Sequence, residues 1–433
     1  MIRLALVVAG VFPAGEVQAQ SPVAPAPANT AAVAADTAEE DAIAAELRAI
    51  EEEESRLHIY GFADFTFTAF LMDESSRWYD TYFSAYPTFA VGNLNLYLEK
   101  RIAPRWSSLI EFRLLYLPNG AEEVSDSGVV TQIDTSVLDY EDQTEYLRWG
   151  GISIERAWVE YRIHPLATLR AGQWLTPYGI WNADHGSPVL IPIRRPFVIG
   201  QSLFPRSQTG LLLHGSRAFG DQTLSYRLTL SNGRGPADTY LDLDHNKAVG
   251  GRLALDTPWL DQFTAGVSLY TGTYSARSRS YGLRNDEVVA DDTLIEGYRE
   301  LAMAADLRAR SGPLLIDTEV ITRQGTYADA ARPPDLLVPT EQQPDYFAYG
   351  GYVLAGVRLP WLDLMPYVMG EYMHPMWATV PHIWEGAIGI NMRAAPTVTL
   401  KTQFQGARFS GIRNPVMPDE PILAWEAQVA WVF

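Results

Sequence analysis

The sequence predicts an all-β fold, a 16-stranded antiparallel transmembrane β-barrel with a short N-terminal periplasmic helix, and three observations carry that expectation. The chain ends in a strict alternation, LAWEAQVAWVF over 423–433, in which Leu423, Trp425, Ala427, Val429, Trp431 and Phe433 share one face while Glu426 and Gln428 share the other. About eleven residues with aromatics near the ends match a tilted strand crossing a bilayer. Segments of this kind recur about sixteen times, and the links between them are alternately long and short. The first nineteen residues have the make-up of an export signal.

Taken in order, residues 1–19 place Arg3 before the apolar run 4–12 and a small-residue end at 17–19, which reads as a signal peptide cleaved near Gln20. No Cys follows, so a lipid anchor is not expected. Residues 20–35 are rich in Ala and Pro and read as a linker. Residues 36–56 are acidic, with Ile43, Leu47 and Ile50 at helical steps, and read as a helix or short coiled-coil segment. The barrel is expected over 57–433.

Within it the alternating segments are 57–71, 89–102, 104–116, 152–163, 167–175, 207–218, 222–232, 247–257, 262–274, 298–310, 313–325, 347–359, 363–373, 382–393, 396–408 and 422–433. Every second link is short, as an up-and-down barrel in an outer membrane requires: tight turns in the periplasm and longer loops outside. An even strand count puts both ends of the barrel on the turn side. The acidic segment is then periplasmic, and 423–433 pairs beside the strand that starts at Leu57. Closure matters because backbone N–H and C=O groups in hydrocarbon must be satisfied internally.

Composition narrows the function classes. Aromatic residues are 12% of the chain, yet no uncharged run after the N-terminus is long enough for a transmembrane helix. The chain has no cysteine, so disulfides and thiolate metal sites are excluded. The net charge is −19, but 36–56 and the connection 118–150 carry most of it, and the rest is near balance. The low isoelectric point therefore describes a leader and one loop.

Parity then assigns side chains to faces. Ile110, Phe112 and Leu114 face out while Glu111 and Arg113 face the lumen; Ala157, Val159 and Tyr161 face out while Arg156, Trp158, Glu160 and Arg162 face in, joined by Arg170 on the next strand. Tyr97, Arg227, Arg252, Asp306, Arg308, Asp317, Glu319, Glu371, Glu385, Lys401, Gln403 and Glu426 take inward parity as well. A sixteen-strand barrel is wide enough for a water-filled lumen, so such charges are expected there. The connection 177–206 is different. It holds five prolines and many apolar side chains, which suit burial better than solvent. Folded into the lumen, it brings Asp184, His185, Arg194, Arg195 and Arg206 opposite Arg113, Arg156, Arg162 and Arg170, a constriction edged by guanidinium groups that attract and bind anions.

The stretch ERAWVEYRIHPLATLRAGQWLTPYG over 155–179 resembles the Arg-Ala-aromatic-x-Glu-Tyr strand and the following Gly-Gln-x-x-x-Pro-x-Gly strand end of the phosphate-selective porin O and P family. The terminal Phe433 likewise resembles the closing residue of Gram-negative outer-membrane proteins. The family resemblance implies a homotrimeric sixteen-stranded channel with an inward third loop and basic residues that guide anions such as phosphate. The family's lysine-rich vestibule has no material here, since Lys100, Lys247 and Lys401 are the lysines of the chain. Arginine can replace lysine chemically, but the acidic residues of 118–150 are expected to line the external approach, so the family's substrate does not carry over with its fold.

Other chemistry finds little footing. His-Gly-Ser occurs at 185–187 and 214–216, but neither has the spacing of a nucleophile elbow. The seven histidines form no i, i+4 pair and no phosphate-cradling glycine loop leads into a helix, so neither enzyme, metal, cofactor nor nucleic-acid partner is expected. The expected function is passive diffusion of small hydrophilic solutes through a trimer set in outer-membrane lipid and lipopolysaccharide. The alternative is an envelope scaffold or surface-receptor barrel that passes no significant current.

Overall fold

Alternation of apolar and polar side chains builds this sheet, and the faces separate as a period of two requires. The computed structural model describes residues 56–76, 86–115, 151–182, 186–234, 245–284, 287–334, 341–376, 382–410 and 420–433. The expected signal, linker and acidic segment, Arg56 apart, lie outside the described residues, as does the acidic connection 118–150.

Sixteen strands form one closed antiparallel barrel: β1 (Leu57–Phe70), β2 (Thr88–Ala103), β3 (Trp106–Leu115), β4 (Gly151–His164), β5 (Ala167–Leu175), β6 (Ser207–Phe219), β7 (Gln222–Ser231), β8 (Ala248–Thr257), β9 (Gln262–Arg284), β10 (Glu287–Ser311), β11 (Leu314–Tyr327), β12 (Tyr346–Val357), β13 (Leu364–His374), β14 (His382–Ala395), β15 (Val398–Ser410) and β16 (Pro421–Val432). Each strand pairs with its sequence neighbours, and β1 closes on β16 from Phe62 opposite Val432 to Phe70 opposite Ala424. Past that ladder, Gly61 and Phe433 exchange two backbone bonds of 2.9 and 3.0 Å. No sheet edge is left along the wall.

Side-chain parity is as the sequence reading expects, except at a bulge in β4. On β14, Ile383 is fully buried while Ile388, five residues on and of opposite parity, is 60% exposed. Exposed apolar side chains recur around the wall, including Ile110, Ile154, Leu228, Leu253, Val320, Val353, Val368 and Phe404. An apolar band on this scale has water as a poor solvent and hydrocarbon as a good one.

Strand length and the filling of the interior both depart from the sequence reading. First, β9 and β10 run to 23 and 25 residues, so most of 275–297, expected as a long connection, is paired strand with Arg279 opposite Asp292 and Arg284 opposite Glu287. A ribbon extending past the apolar band needs no greasy face, so apolar alternation does not reveal it. Second, the interior is not uniformly wet. Tyr178, Ile180, Trp181, Val198, Leu203 and Phe204 from the connection after β5 pack with lumen-facing residues of β8–β14 into one apolar cluster, among them Tyr270, Ile321, Tyr352, Met369 and Ile383. Width admits water only where no other segment of the chain fills it.

Candidate functional site

The segment joining β5 to β6, residues 176–206, is held at its neck by Thr176 N–H donating to the Arg206 carbonyl at 3.0 Å. Asn182 Nδ2 ties the same neck to the carbonyls of Thr176 and Arg206, at 2.7 and 3.1 Å. Gly179 has φ +69°, and a Cβ there would run into the Glu319 carboxylate, so the chain turns at a position only glycine fills without strain.

From that turn the segment is hydrogen-bonded to lumen-facing side chains of strands across the barrel. The Tyr178 hydroxyl pairs with Thr229 on β7 at 2.6 Å, Arg252 on β8 donates to the Gly179 carbonyl, and Glu319 on β11 accepts from Trp181 N–H at 3.0 Å. On β15, Lys401 Nζ donates to the carbonyls of Ser187 and Leu190 at 2.6 and 2.7 Å, and Gln403 accepts from Ile193 N–H at 3.0 Å. Asn391 on β14 donates to the Ile191 carbonyl at 2.7 Å, and Arg194 pairs with Glu426 on β16 at 2.8 Å. A one-turn helix, α1 (Phe197–Gly200), begins where Glu371 on β13 accepts from Phe197 N–H at 2.6 Å and Val198 N–H at 3.1 Å. The carboxylate satisfies donors that the first helical turn leaves open.

Beside this segment, the wall of β3 to β7 is lined by arginines. Glu155 sits at a β-bulge, because Glu111 pairs with Arg156 while Phe112 pairs with Ile154. One extra residue therefore breaks the alternation, and Glu155 and Arg156 both turn inward. Gln173 Nε2 covers a carbonyl that the bulge displaces, that of Ile154, at 2.8 Å. The buried Glu155 carboxylate is shared by Arg206, at 2.9 Å, and Arg113, at 3.4 Å. Arg195 lines a cavity together with Arg206, lies within electrostatic range of Glu155 and makes no ion pair among the described residues. Burial, and after it the nearby guanidinium groups of Arg206 and Arg113, hold Arg195 below the usual arginine range, against the opposing pull of Glu155. Among the described residues, three guanidinium groups thus lie near one carboxylate, a surplus of two positive charges.

Deeper along the same wall the charges are matched. Arg156 Nε meets Glu111 at 2.5 Å and lies 5.3 Å from the Tyr97 ring. Arg170 meets Glu160 at 2.6 Å, lies 4.0 Å over Trp158, and shares Glu160 with His214 Nε2, at 2.8 Å. A cavity of about 180 Å³ is lined by Arg156, Arg170, His214 and Arg227.

Of the residues singled out by sequence, Arg113, Arg195 and Arg206 come together, with Arg156 and Arg170 below them. Arg194 lies on the other side of the segment, against Glu426 and 5.6 Å from the Phe70 ring. Arg162 is exposed beside the turn to β5, about 20 Å along the strand from Arg156. Asp184 and His185 lie outside the described residues. Sequence reasoning missed Glu155, whose parity pointed outward, and the inward pair Glu300 and Arg323, 2.9 Å apart. No group of three or more His, Asp or Glu side chains suited to a metal ion occurs among the described residues.

Neither a protein-family model nor a curated protein matches the sequence. Solved structures do. OmpT of Vibrio cholerae in its trimer form is similar to this chain with a TM-score of 0.51 at 8% identity, covering 87% of this chain and 99% of that one. The anion-selective porin from Comamonas acidovorans gives 0.51 at 9% identity over 87% and 99%. The outer-membrane channel DcaP of Acinetobacter baumannii gives 0.51 at 9% over 87% and 97%. The likeness is one of fold. The chain has the sixteen-stranded architecture of outer-membrane porins, at identities that leave its solute to its own residues.

Proposed function

We propose that the protein is a Gram-negative outer-membrane porin, a passive channel for small hydrophilic solutes that favours anions carrying carboxylate or phosphate. The observation that carries this reading is the cluster of Arg113, Arg195 and Arg206 around the single carboxylate of Glu155, set beside a segment pinned across the lumen. In this reading residues 176–206 narrow the path and the arginines edge the narrowing. Guanidinium groups there raise the local anion concentration and offer paired donors to planar oxyanions. The apolar cluster fills part of the interior, and the arginine-lined wall of β3 to β7 borders the wet route in this reading. The resemblance of 155–179 to phosphate-selective porins supports the same placement, as does the fold shared with an anion-selective porin. The assembly is a homotrimer in lipid and lipopolysaccharide, with the long links outside and the N-terminal segment in the periplasm. No step needs a cofactor or catalysis.

Reversal potential across a salt gradient in planar bilayers tests this. Wild type is expected to favour chloride, Arg195→Ala to shift toward cations, and Arg162→Ala to change little. An unchanged reversal potential in Arg195→Ala removes the anion-guiding role. A second reading, a scaffold barrel without conductance, draws on the apolar packing inside the wall; absence of current in wild type would establish it.

A further inference from the structure

Anion guidance by the arginine cluster leaves a second charged hollow of the interior without a role. The hollow measures about 240 Å³ and lies between the start of the inner segment, at Gly179 and Ile180, and the wall of β7–β10 toward the short links. Arg227 lines both this hollow and the cavity beside Arg156 and Arg170, so the two adjoin. A single water needs about 15 Å³ of such space, so there is room for a small organic solute.

Register explains why the wall is hollow here. Ala254 on β8 stands opposite Gly266 on β9, and Gly266 stands opposite Asp306 on β10. Long charged side chains surround these two short residues. Arg252 and Asp256 flank Ala254 two residues to either side, Arg227 on β7 is opposite Arg252, and Arg308 is two residues beyond Asp306. All five share the inward parity and line the hollow.

Pairing among these groups is incomplete. Arg252 Nη2 meets Asp306 Oδ1 at 2.5 Å and Arg252 Nη1 donates to the Gly179 carbonyl, while Asp256 accepts from the Thr264 hydroxyl at 2.5 Å and Arg308 Nε lies 3.6 Å from Asp317. Arg252 and Asp306 are 8% and 5% exposed, yet among the described residues Arg252 Nε and Asp306 Oδ2 take part in no hydrogen bond. A buried ion pair that leaves one donor and one acceptor unmet is costly until a partner supplies both. The two charges are also close together: a Cβ on Gly266 would lie 2.6 Å from Arg252 Nη2 and 2.6 Å from Asp306 Oδ2.

Adjacent opposite charges select a ligand that carries the same arrangement reversed. A simple anion drawn to Arg252 would face Asp306, and a simple cation drawn to Asp306 would face the guanidinium groups of Arg227, Arg252 and Arg308. An α-amino acid bears its carboxylate and its ammonium on one carbon and meets both. We infer that this hollow is a binding site for zwitterionic α-amino acids, with the ammonium donating to Asp306 and the carboxylate accepting from Arg252 beside Arg227. The inference rests on the channel reading for access to the lumen, and it names one class among the carboxylate solutes proposed above.

The test titrates full-length protein in detergent micelles with L-alanine, propionate and ethylamine, read by saturation-transfer NMR of the ligand. Propionate lacks the ammonium and ethylamine lacks the carboxylate. L-alanine is expected to bind about tenfold more tightly than either. Asp306→Asn is expected to bring L-alanine down to the affinity of propionate without weakening propionate. Ala254→Leu puts a larger side chain into the hollow and is expected to weaken L-alanine about tenfold while the barrel still folds, as read by heat-modifiable gel migration. Equal affinity for L-alanine and propionate in wild type overturns the site, and so does an L-alanine advantage that survives either variant. If one variant fails to fold, the other variant and the wild-type comparison decide. Bilayer current on the same preparations separates this site from the channel reading. Anion-selective current with no L-alanine advantage overturns the amino-acid site alone; an L-alanine advantage that depends on Asp306, without current, overturns the channel alone.

Discussion

Glu155 is the residue on which the charge of the arginine cluster turns. Its carboxylate is 7% exposed and serves two guanidinium groups, while Arg195 adds a third positive charge nearby. Glu155→Gln raises the surplus from two to three, so its reversal potential should move toward chloride, opposite in sign to Arg195→Ala. The same change costs stability. Arg113 and Arg206 are 26% and 37% exposed, so water screens the loss and the cost should be about 1–2 kcal/mol, read as a lower denaturant midpoint in micelles. A variant that loses stability without moving the reversal potential would make Glu155 a packing residue only. Glu155 was not legible as a site residue in the sequence, for a definite reason. Parity reasoning assumes an unbroken period of two, and one inserted residue in β4 turns two consecutive charged side chains the same way. Arg156 and Arg170 were legible because the pairing of β4 with β5 runs unbroken from Ala157 to Arg162, so parity holds on that side of the bulge.

At the scale of the element, residues 176–206 owe their place to anchors far away in sequence. Five prolines and the apolar content of the segment point to burial, and that much is readable from composition. The partners are not. Glu319, Glu371, Lys401, Gln403 and Glu426 take inward parity as isolated wall charges, and nothing in their spacing says that each meets one particular backbone or side-chain group of the segment. Glu371 gives a sharp test. It accepts from Phe197 and Val198 N–H at the start of α1, bonds to a charged acceptor worth about 1.5–3 kcal/mol each. Glu371→Ala should loosen that end and raise open-channel noise in single-channel records. Reversal potential should change less than in Arg195→Ala, because Glu371 carries no part of the arginine cluster and stands on β13, away from the wall that bears Arg113. A quiet trace in the variant would show that the remaining anchors suffice without this one.

For the whole molecule, the decisive event is closure, which joins the first strand to the last across the entire length of the chain. Closure was legible: the even strand count and the alternating link lengths put β1 beside β16, and strand ends fall within a few residues of the alternation except where β9 and β10 continue as a polar ribbon. Contacts of such sequence separation carry a high loop-closure entropy, so the seam is where folding is expected to be most sensitive. Gly61 marks its end. It exchanges two backbone bonds with Phe433, and a Cβ there would collide with the Asn95 carbonyl oxygen and come within 2.7 Å of the Phe433 ring. Gly61→Val should therefore leave the ladder from Phe62 to Phe70 available while blocking its last step. The expected outcome is slower assembly into lipid and a larger heat-modifiable unfolded fraction at equal protein and lipid. Gly370→Val, also on a strand but with open space at its Cβ, is the matched control and should assemble as wild type does. If both variants assemble alike, the cost lies in β-strand glycine replacement generally, and the seam end contributes nothing of its own to closing the barrel.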